Sequence, residues 1–186
     1  MNYDRRAVSA PTREVAAWVT HLRYSDLPAR TKEVARCAIL DTVGCGLYGF
    51  NTPWANMLLA WARAGGAKAE ATVWGEAAPS LRAADAALVN GTASHAFELD
   101  DYHNAKLHPG AVVVPAAIAM AEKLDAKGEQ LVTAIAAGYE VMIRSSLALN
   151  PSAARLRGWH LTGVCGPFGA AAACASLLGL NEEHTA

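Results

Sequence analysis

Gln130-Leu-Val-Thr-Ala-Ile-Ala-Ala-Gly-Tyr-Glu-Val-Met-Ile-Arg-Ser-Ser-Leu-Ala-Leu149 is the stretch that decides the fold class. Leu131, Ile135, Tyr139 and Met142 recur at steps of three and four, the period of a helix stripe and not of a strand. Asn150-Pro151 halts the pattern, because proline disfavours helical backbone in the residue before it. Working outward, Gly110 to Leu124 reads as another apolar helix, ended near Gly128. Thr162 to Leu178 reads as a third, so rich in Gly and Ala that neighbouring helices can pack very close to it. Nearer the start, Val15, Trp18, Val19 and Leu22 keep helical spacing after a Thr12 cap. Pro28 suits the first turn of a helix running through Ile39 and Leu40 toward Gly44. The apolar positions of that helix cover most of its circumference, which predicts a central, buried element. Pro53 to Arg63 places Trp54, Leu58 and Trp61 on one face and stops at Gly65-Gly66, and Ser80 opens a helix through Val89 that can extend past Asn90-Gly91 to Phe97. Only Thr72-Val73-Trp74 has strand character. The expected fold is all-α, an Ala/Gly-rich multi-helix bundle with helices packed on helices.

Composition narrows the function classes. With 53% hydrophobic and 18% charged residues over 186 positions, this is a core-rich globular chain, not a disordered one. A net charge of −1 without any run of Lys and Arg argues against nucleic acid and against an anionic membrane as partner. The longest apolar stretch, Val34 to Phe50, is broken by Asp41 and three glycines, and it falls short of the roughly 20 residues a bilayer span needs. Met1 to Arg13 lacks the apolar core of a secretory signal. Cys37, Cys45, Cys165 and Cys174 show no CxxC spacing, so they are expected as buried core thiols in a reducing, cytoplasmic compartment. Asp41 is expected as a satisfied structural carboxylate, and Trp18, Trp54, Trp61 and Trp74 as core or interface residues. At the other end, Gly179 and Asn181-Glu182-Glu183 spell a helix stop followed by a helix start, yet the chain stops at Ala186. The expectation is one helical domain over residues 1–186, truncated from something longer.

The chemistry-bearing residues concentrate in His95-Ala-Phe-Glu-Leu-Asp-Asp-Tyr-His-Asn-Ala-Lys-Leu-His-Pro109, which sets three carboxylates, three imidazoles, a phenol and an amine between two apolar helices. Charges are costly to bury unless paired, so a cluster flanked by core helices is expected to line a cleft. Carboxylates and imidazoles side by side shift one another's pKa values toward neutrality, which suits proton transfer. The imidazoles and Lys106 can also bind a substrate carboxylate. The plain alternative is a solvated loop between helices, since charged loops are common. A divalent-metal site on Asp100, Asp101, His103 and His108 is a third reading, but no ligand motif such as HExxH accompanies it, and no metal is expected. A second cluster, Arg155-Leu-Arg-Gly-Trp-His-Leu-Thr-Gly163, puts His160 just before the Gly/Ala helix, where helix N–H groups can receive an anion; local capping is the alternative. Arg155 and Arg157 read as surface charges. Gly163 to Gly169 lacks the GK[ST] ending and preceding strand of a phosphate loop.

At these clusters the sequence resembles the MmgE/PrpD family, which includes 2-methylcitrate dehydratase, cis-aconitate decarboxylase and iminodisuccinate epimerase. The matching stretches are Ile39-Leu-Asp-Thr-Val-Gly-Cys45, Asn90-Gly-Thr-Ala-Ser-His-Ala-Phe-Glu-Leu-Asp-Asp101, His108-Pro-Gly110, Gly138-Tyr-Glu-Val141 and Gly158-Trp-His-Leu-Thr162. Pro115-Ala-Ala117, Gly169-Ala-Ala-Ala-Ala173 and Leu177-Leu-Gly-Leu180 match as well, and the order holds from about Val15 onward. The resemblance implies a two-domain homodimer with a large helical domain and a smaller α+β domain, of which this chain covers less than half. It implies a site that needs no metal or organic cofactor and a small di- or tricarboxylate substrate, as in the 2-methylcitrate dehydration of propionate metabolism. By position, Glu98 stands where many relatives have Asp, and Tyr102 where relatives often carry Thr. His108 matches the histidine of the family's H-P step, His160 matches the site histidine of its G-x-H segment, and the site lysines fall beyond residue 186. The expected catalytic residues are His108, His160, Asp100 and Glu98, with His108, His160 or Asp100 as base. Asp101, Tyr102, His103 and Lys106 are expected to bind substrate. Dehydration is the first expectation; decarboxylation or epimerisation, or a non-catalytic association module, are the alternatives.

Overall fold

The computed structural model describes residues 10–66 and 68–186. Helices α1 (Ala10–His21), α2 (Ala29–Gly49), α3 (Pro53–Ala64), α4 (Ala83–Ser94), α5 (Gly110–Leu124), α6 (Gly128–Ala148), α7 (Pro151–Leu156), α8 (Leu161–Leu178) and α9 (Glu182–Thr185) carry the fold. A 3-10 turn at Tyr24–Asp26 and a two-stranded ribbon, β1 (Ala71–Thr72) and β2 (Pro79–Leu81), complete it. The class is all-α, as the helical periodicity predicts.

The core forms where α6 lies along α8 and α5 packs on both. Ile135 and Met142 of the deciding stripe are buried there with Val113, Val114, Cys165 and Ala173. The crossing is set by two glycines. A Cβ built on Gly138 would lie 2.5 Å from Val113 Cγ1 and 2.8 Å from the Gly169 carbonyl oxygen; one on Gly169 would lie 2.8 Å from the Gly138 carbonyl. Only hydrogen fits at either position. Pro115 sits inside α5 without ending it. Proline lacks the N–H that would bond the carbonyl four residues back, here that of Ala111. Gly91 of α4 packs against that same oxygen, where a Cβ would come within 2.6 Å.

Several local expectations need correction. The ladder covers Ala71–Thr72, not Thr72 to Trp74. Beyond it, the Trp74 N–H donates to Asn90 Oδ1 and the Asn90 side-chain amide donates to the Thr72 carbonyl, so a side chain replaces the strand partner. Ser80 belongs to β2, and α4 starts after Arg82, whose guanidinium pairs with Asp85. That helix stops at Ser94, short of Phe97. Asn150-Pro151 ends α6 as expected but also starts α7: Asn150, at φ 54°, accepts from the Ala153 N–H, and Pro151 fills the first helical position. Helix α1 is already formed at Ala10, ahead of Thr12. The first nine positions of the Met1 to Arg13 segment lie outside the described residues.

The largest correction concerns α2. It buries one face through Ala35, Ala38, Thr42, Gly46 and Gly49, while Leu40 is 76% exposed and Val34, Leu47 and Tyr48 also face outward. Small residues make the contact because α4 comes too close for large ones. Of the four tryptophans expected in the core or at an interface, Trp74 is in the core, while Trp18, Trp54 and Trp61 are exposed on this chain. Cys165 alone among the four free cysteines is buried; Cys37 is exposed. Asp41 is exposed as well. Helices α6 and α8 are long and apolar enough to cross a membrane by length and composition, and half of each is buried within the bundle.

Candidate active site

The segment between α4 and α5 is held open by polar anchors. Asp101 Oδ1 accepts the N–H of Gly110, the first residue of α5, at 2.7 Å. Its Oδ2 accepts the Tyr139 hydroxyl of α6 at 2.8 Å. A Cβ on Gly110 would sit 2.7 Å from Asp101 Oδ1, so glycine permits the approach. Burial pushes the Asp101 carboxyl above its ordinary value, against the pull of these two donors, and burial also holds the Tyr139 hydroxyl well above its usual range. Farther along, the His103 N–H donates to the Leu107 carbonyl, His103 Nδ1 accepts from the Ala105 N–H, and Ser146 donates to the Ala105 carbonyl. Glu98 (φ 50°) and Lys106 (φ 62°) take left-handed backbone, costly for residues other than Gly, and they project from turns made that way.

Asp100 is the centre of the arrangement, with its side chain 0% exposed. Oδ1 lies 2.9 Å from His95 Nδ1, and Oδ2 lies 3.6 Å from His108 Nδ1, an ion-pair distance too long for a hydrogen bond. Asp100 Oδ2 and His108 Nδ1 are accordingly both buried without a hydrogen-bond partner. The hydrogen bond to Asp100 raises the His95 pKa above its ordinary 6.5, opposed in part by burial. The His95 and His108 rings stand edge-on at 4.8 Å, and the His160 ring is 6.5 Å from that of His95. His108 is tied to α8 through its backbone, whose N–H donates to Thr162 Oγ1 at 3.0 Å. His160 caps α8 by accepting the Gly163 N–H at Nδ1, which places the proton of its neutral ring on Nε2.

His108, His160, Glu98, Tyr102, Lys106 and Arg155 line a cleft of about 690 Å³. The structure thus brings most of the expected residues to one opening, with Asp100 behind His108. Asp101 and His103 are not on its wall; their polar atoms serve Gly110, Tyr139 and Ala105 instead. Two further residues belong to the arrangement. His95 was counted in the cluster and given no role, yet it holds the buried carboxylate. Arg155 is exposed, as a surface charge is expected to be, and it also stands on the cleft wall; nothing in the spacing marks it apart from Arg157. Another hollow, of about 620 Å³ between α1 and the α8–α9 corner, contains none of the histidine–carboxylate cluster.

For a metal, the donors brought together are His95, Asp100 and His108, all within 4.8 Å of one another. The four-residue set Asp100, Asp101, His103 and His108 is not assembled, because Asp101 and His103 turn to other partners. Two imidazoles and a carboxylate would suit a divalent transition ion. Here the His95–Asp100 hydrogen bond already pairs two of the three.

The raised His95 pKa has a consequence for stability. Its contribution is fully present below the unfolded value near 6.5 and is lost as pH rises through the raised folded value. Substituting His95→Gln removes this dependence. Melting temperatures of wild type and H95Q, measured from about pH 5.5 to about 8.5, are expected to show the wild-type advantage shrinking as pH rises. A constant difference would show that His95 does not titrate against Asp100.

The MmgE/PrpD N-terminal domain model matches residues 13–186. A cis-aconitate decarboxylase-like protein of Aspergillus oryzae is 35% identical across 94% of this chain and 38% of its own length. Cis-aconitate decarboxylase of Aspergillus terreus is 31% identical across 97% of this chain and 38% of its own length. The Homo sapiens cis-aconitate decarboxylase is 30% identical across 92% and 36% respectively. The chain therefore spans little more than a third of the length of these relatives.

Proposed function

The chain belongs to the MmgE/PrpD family, and from that premise we propose that the whole protein is a lyase releasing carbon dioxide from a small tricarboxylate of the cis-aconitate kind. The observation that carries this reading is His108, set between the buried Asp100 and a cleft of about 690 Å³ that also presents His160, Lys106 and Arg155. The names of the relatives support decarboxylation over the dehydration favoured by the sequence resemblance alone.

The chemistry asked of these residues is modest. Cleavage of the bond to the departing carboxylate leaves its electron pair on the substrate carbon frame, and a proton must arrive there as carbon dioxide leaves. His108, with the Asp100 carboxylate 3.6 Å behind it, supplies that proton. His160, its proton on Nε2, is the second donor at the cleft. Lys106 receives a substrate carboxylate as a charge-assisted partner. Lysines that the family resemblance places beyond residue 186 complete the anion clamp, and the assembled protein works as a cytoplasmic homodimer without a metal or organic cofactor.

Dehydration remains the second reading, favoured by Glu98 on the cleft wall, a carboxyl able to protonate a departing hydroxyl. Product masses separate the readings. The protein at its natural length, given cis-aconitate and 2-methylcitrate separately, is expected to remove carbon dioxide from the first and leave the second unchanged. Loss of water from 2-methylcitrate would establish the dehydratase, and a one-unit mass gain in heavy water, with neither carbon dioxide nor water lost, would favour proton exchange of the epimerase kind.

A further inference from the structure

We propose that Arg155 is a specificity residue that seats a third carboxylate of the substrate at the outer edge of the cleft; this rests on the carboxylate reading of the site.

The first turn of α7 is fixed by Asn150 and Pro151, and Gly158, at φ 89°, turns the chain back toward α8. Arg155 and Arg157 are two positions apart on this short excursion and therefore point differently. Arg155 reaches the wall that holds His108 and His160. Arg157 lines a separate, apolar hollow with Leu149, Trp159 and Val164. Arg155 is exposed, and no described carboxylate forms an ion pair with it or with Lys106.

Charge on the cleft wall then decides what it fits. Lys106 and Arg155 are the Lys and Arg side chains of the wall, while Glu98 is the one carboxylate among the wall residues. Asp100 lies behind them, its charge shared with His95. The wall thus keeps cationic capacity beyond what Glu98 can offset, which favours a substrate with more carboxylates than the reacting one. Lys106 lies on the same segment as His108, two positions before it. Arg155 approaches from α7 and so serves a carboxylate remote from the reacting bond. A guanidinium suits that task, since its fork grips a carboxylate with two parallel hydrogen bonds where an ammonium offers a point charge. Because the contact is made equally before and during reaction, its loss should raise KM and leave kcat nearly unchanged.

The test uses the protein at its natural length, with two inert anions as competitors: tricarballylate, with three carboxylates, and glutarate, with two. Inhibition constants are measured for wild type, Arg155→Gln, Arg155→Lys and the neighbouring control Arg157→Gln. In R155Q, tricarballylate is expected to weaken by on the order of tenfold, while glutarate changes by less than about twofold. The KM for cis-aconitate should rise with tricarballylate at near-constant kcat, R155K should recover only part of the loss, and R157Q should match wild type. Equal changes for both anions, no change for either, or a loss confined to kcat would overturn the role of Arg155 alone. A wild type that binds neither anion would overturn the carboxylate reading itself, and this proposal with it.

Discussion

His108→Asn in the natural-length protein is expected to lower kcat by about 10²- to 10⁴-fold, the usual contribution of a positioned acid or base, while the fold stays intact. The two halves of that expectation come from different atoms. The backbone N–H of His108 bonds Thr162 and survives the substitution. The imidazole Nδ1 makes no hydrogen bond and lies 3.6 Å from Asp100, so the substitution removes edge-on ring contacts with His95 and Tyr102 and breaks no hydrogen bond at Nδ1. Asn preserves polarity there but cannot carry a proton near neutral pH. Turnover and thermal unfolding measured on the same preparation check both halves. Turnover within about threefold of wild type would remove His108 from the mechanism, and a collapse of the melting temperature would make its role structural.

The second large effect concerns packing. Gly138→Ala is expected to destabilise the fold by roughly 1–3 kcal/mol, the usual cost of overpacking a tight core. For a domain of 150–250 residues that is a fall of about 2–12 °C in melting temperature. The added methyl would face Val113 Cγ1, the Gly169 carbonyl and Ala173 Cβ, two of them on α8, so α6 and α8 must separate. Gly44 provides the contrast. It is also inside a helix, but a Cβ there meets nothing within 4 Å. Gly44→Ala should therefore stabilise by about 0.5–1 kcal/mol, because alanine loses less backbone freedom on folding. Melting curves for the two variants should move in opposite directions. A Gly138→Ala protein as stable as wild type would mean that the α6–α8 crossing is looser than described.

These residues also show what could be read from the chain and what could not. The stripe Leu131, Ile135, Tyr139 and Met142 announces α6 because a long helix packed on one side must repeat its apolar residues. Helix α7 and strand β2 were missed because elements of six and three residues are too short to show a period. Burial failed differently. Leu40 and Trp61 are apolar residues facing outward, and only a tertiary structure separates them from Ala38 and Ala62, which face inward. At the site, His108, Glu98, Tyr102 and Lys106, clustered in sequence, line one opening. Direction was hidden: Asp100 and Asp101 are adjacent, yet one holds the histidines and the other holds Gly110 and Tyr139. Left-handed backbone at Glu98 helps reverse the chain so that His95 meets Asp100, and no spacing rule foretells that turn. Arg155 reaches the cleft only through the α7 excursion, which the sequence reading lacked.

The most direct test of the central claim is proton NMR of cis-aconitate with the natural-length protein in heavy water. The account predicts loss of one carboxyl group and a product carrying a single solvent deuteron at the carbon that receives the proton. A folded protein that releases no carbon dioxide and introduces no deuteron would contradict it.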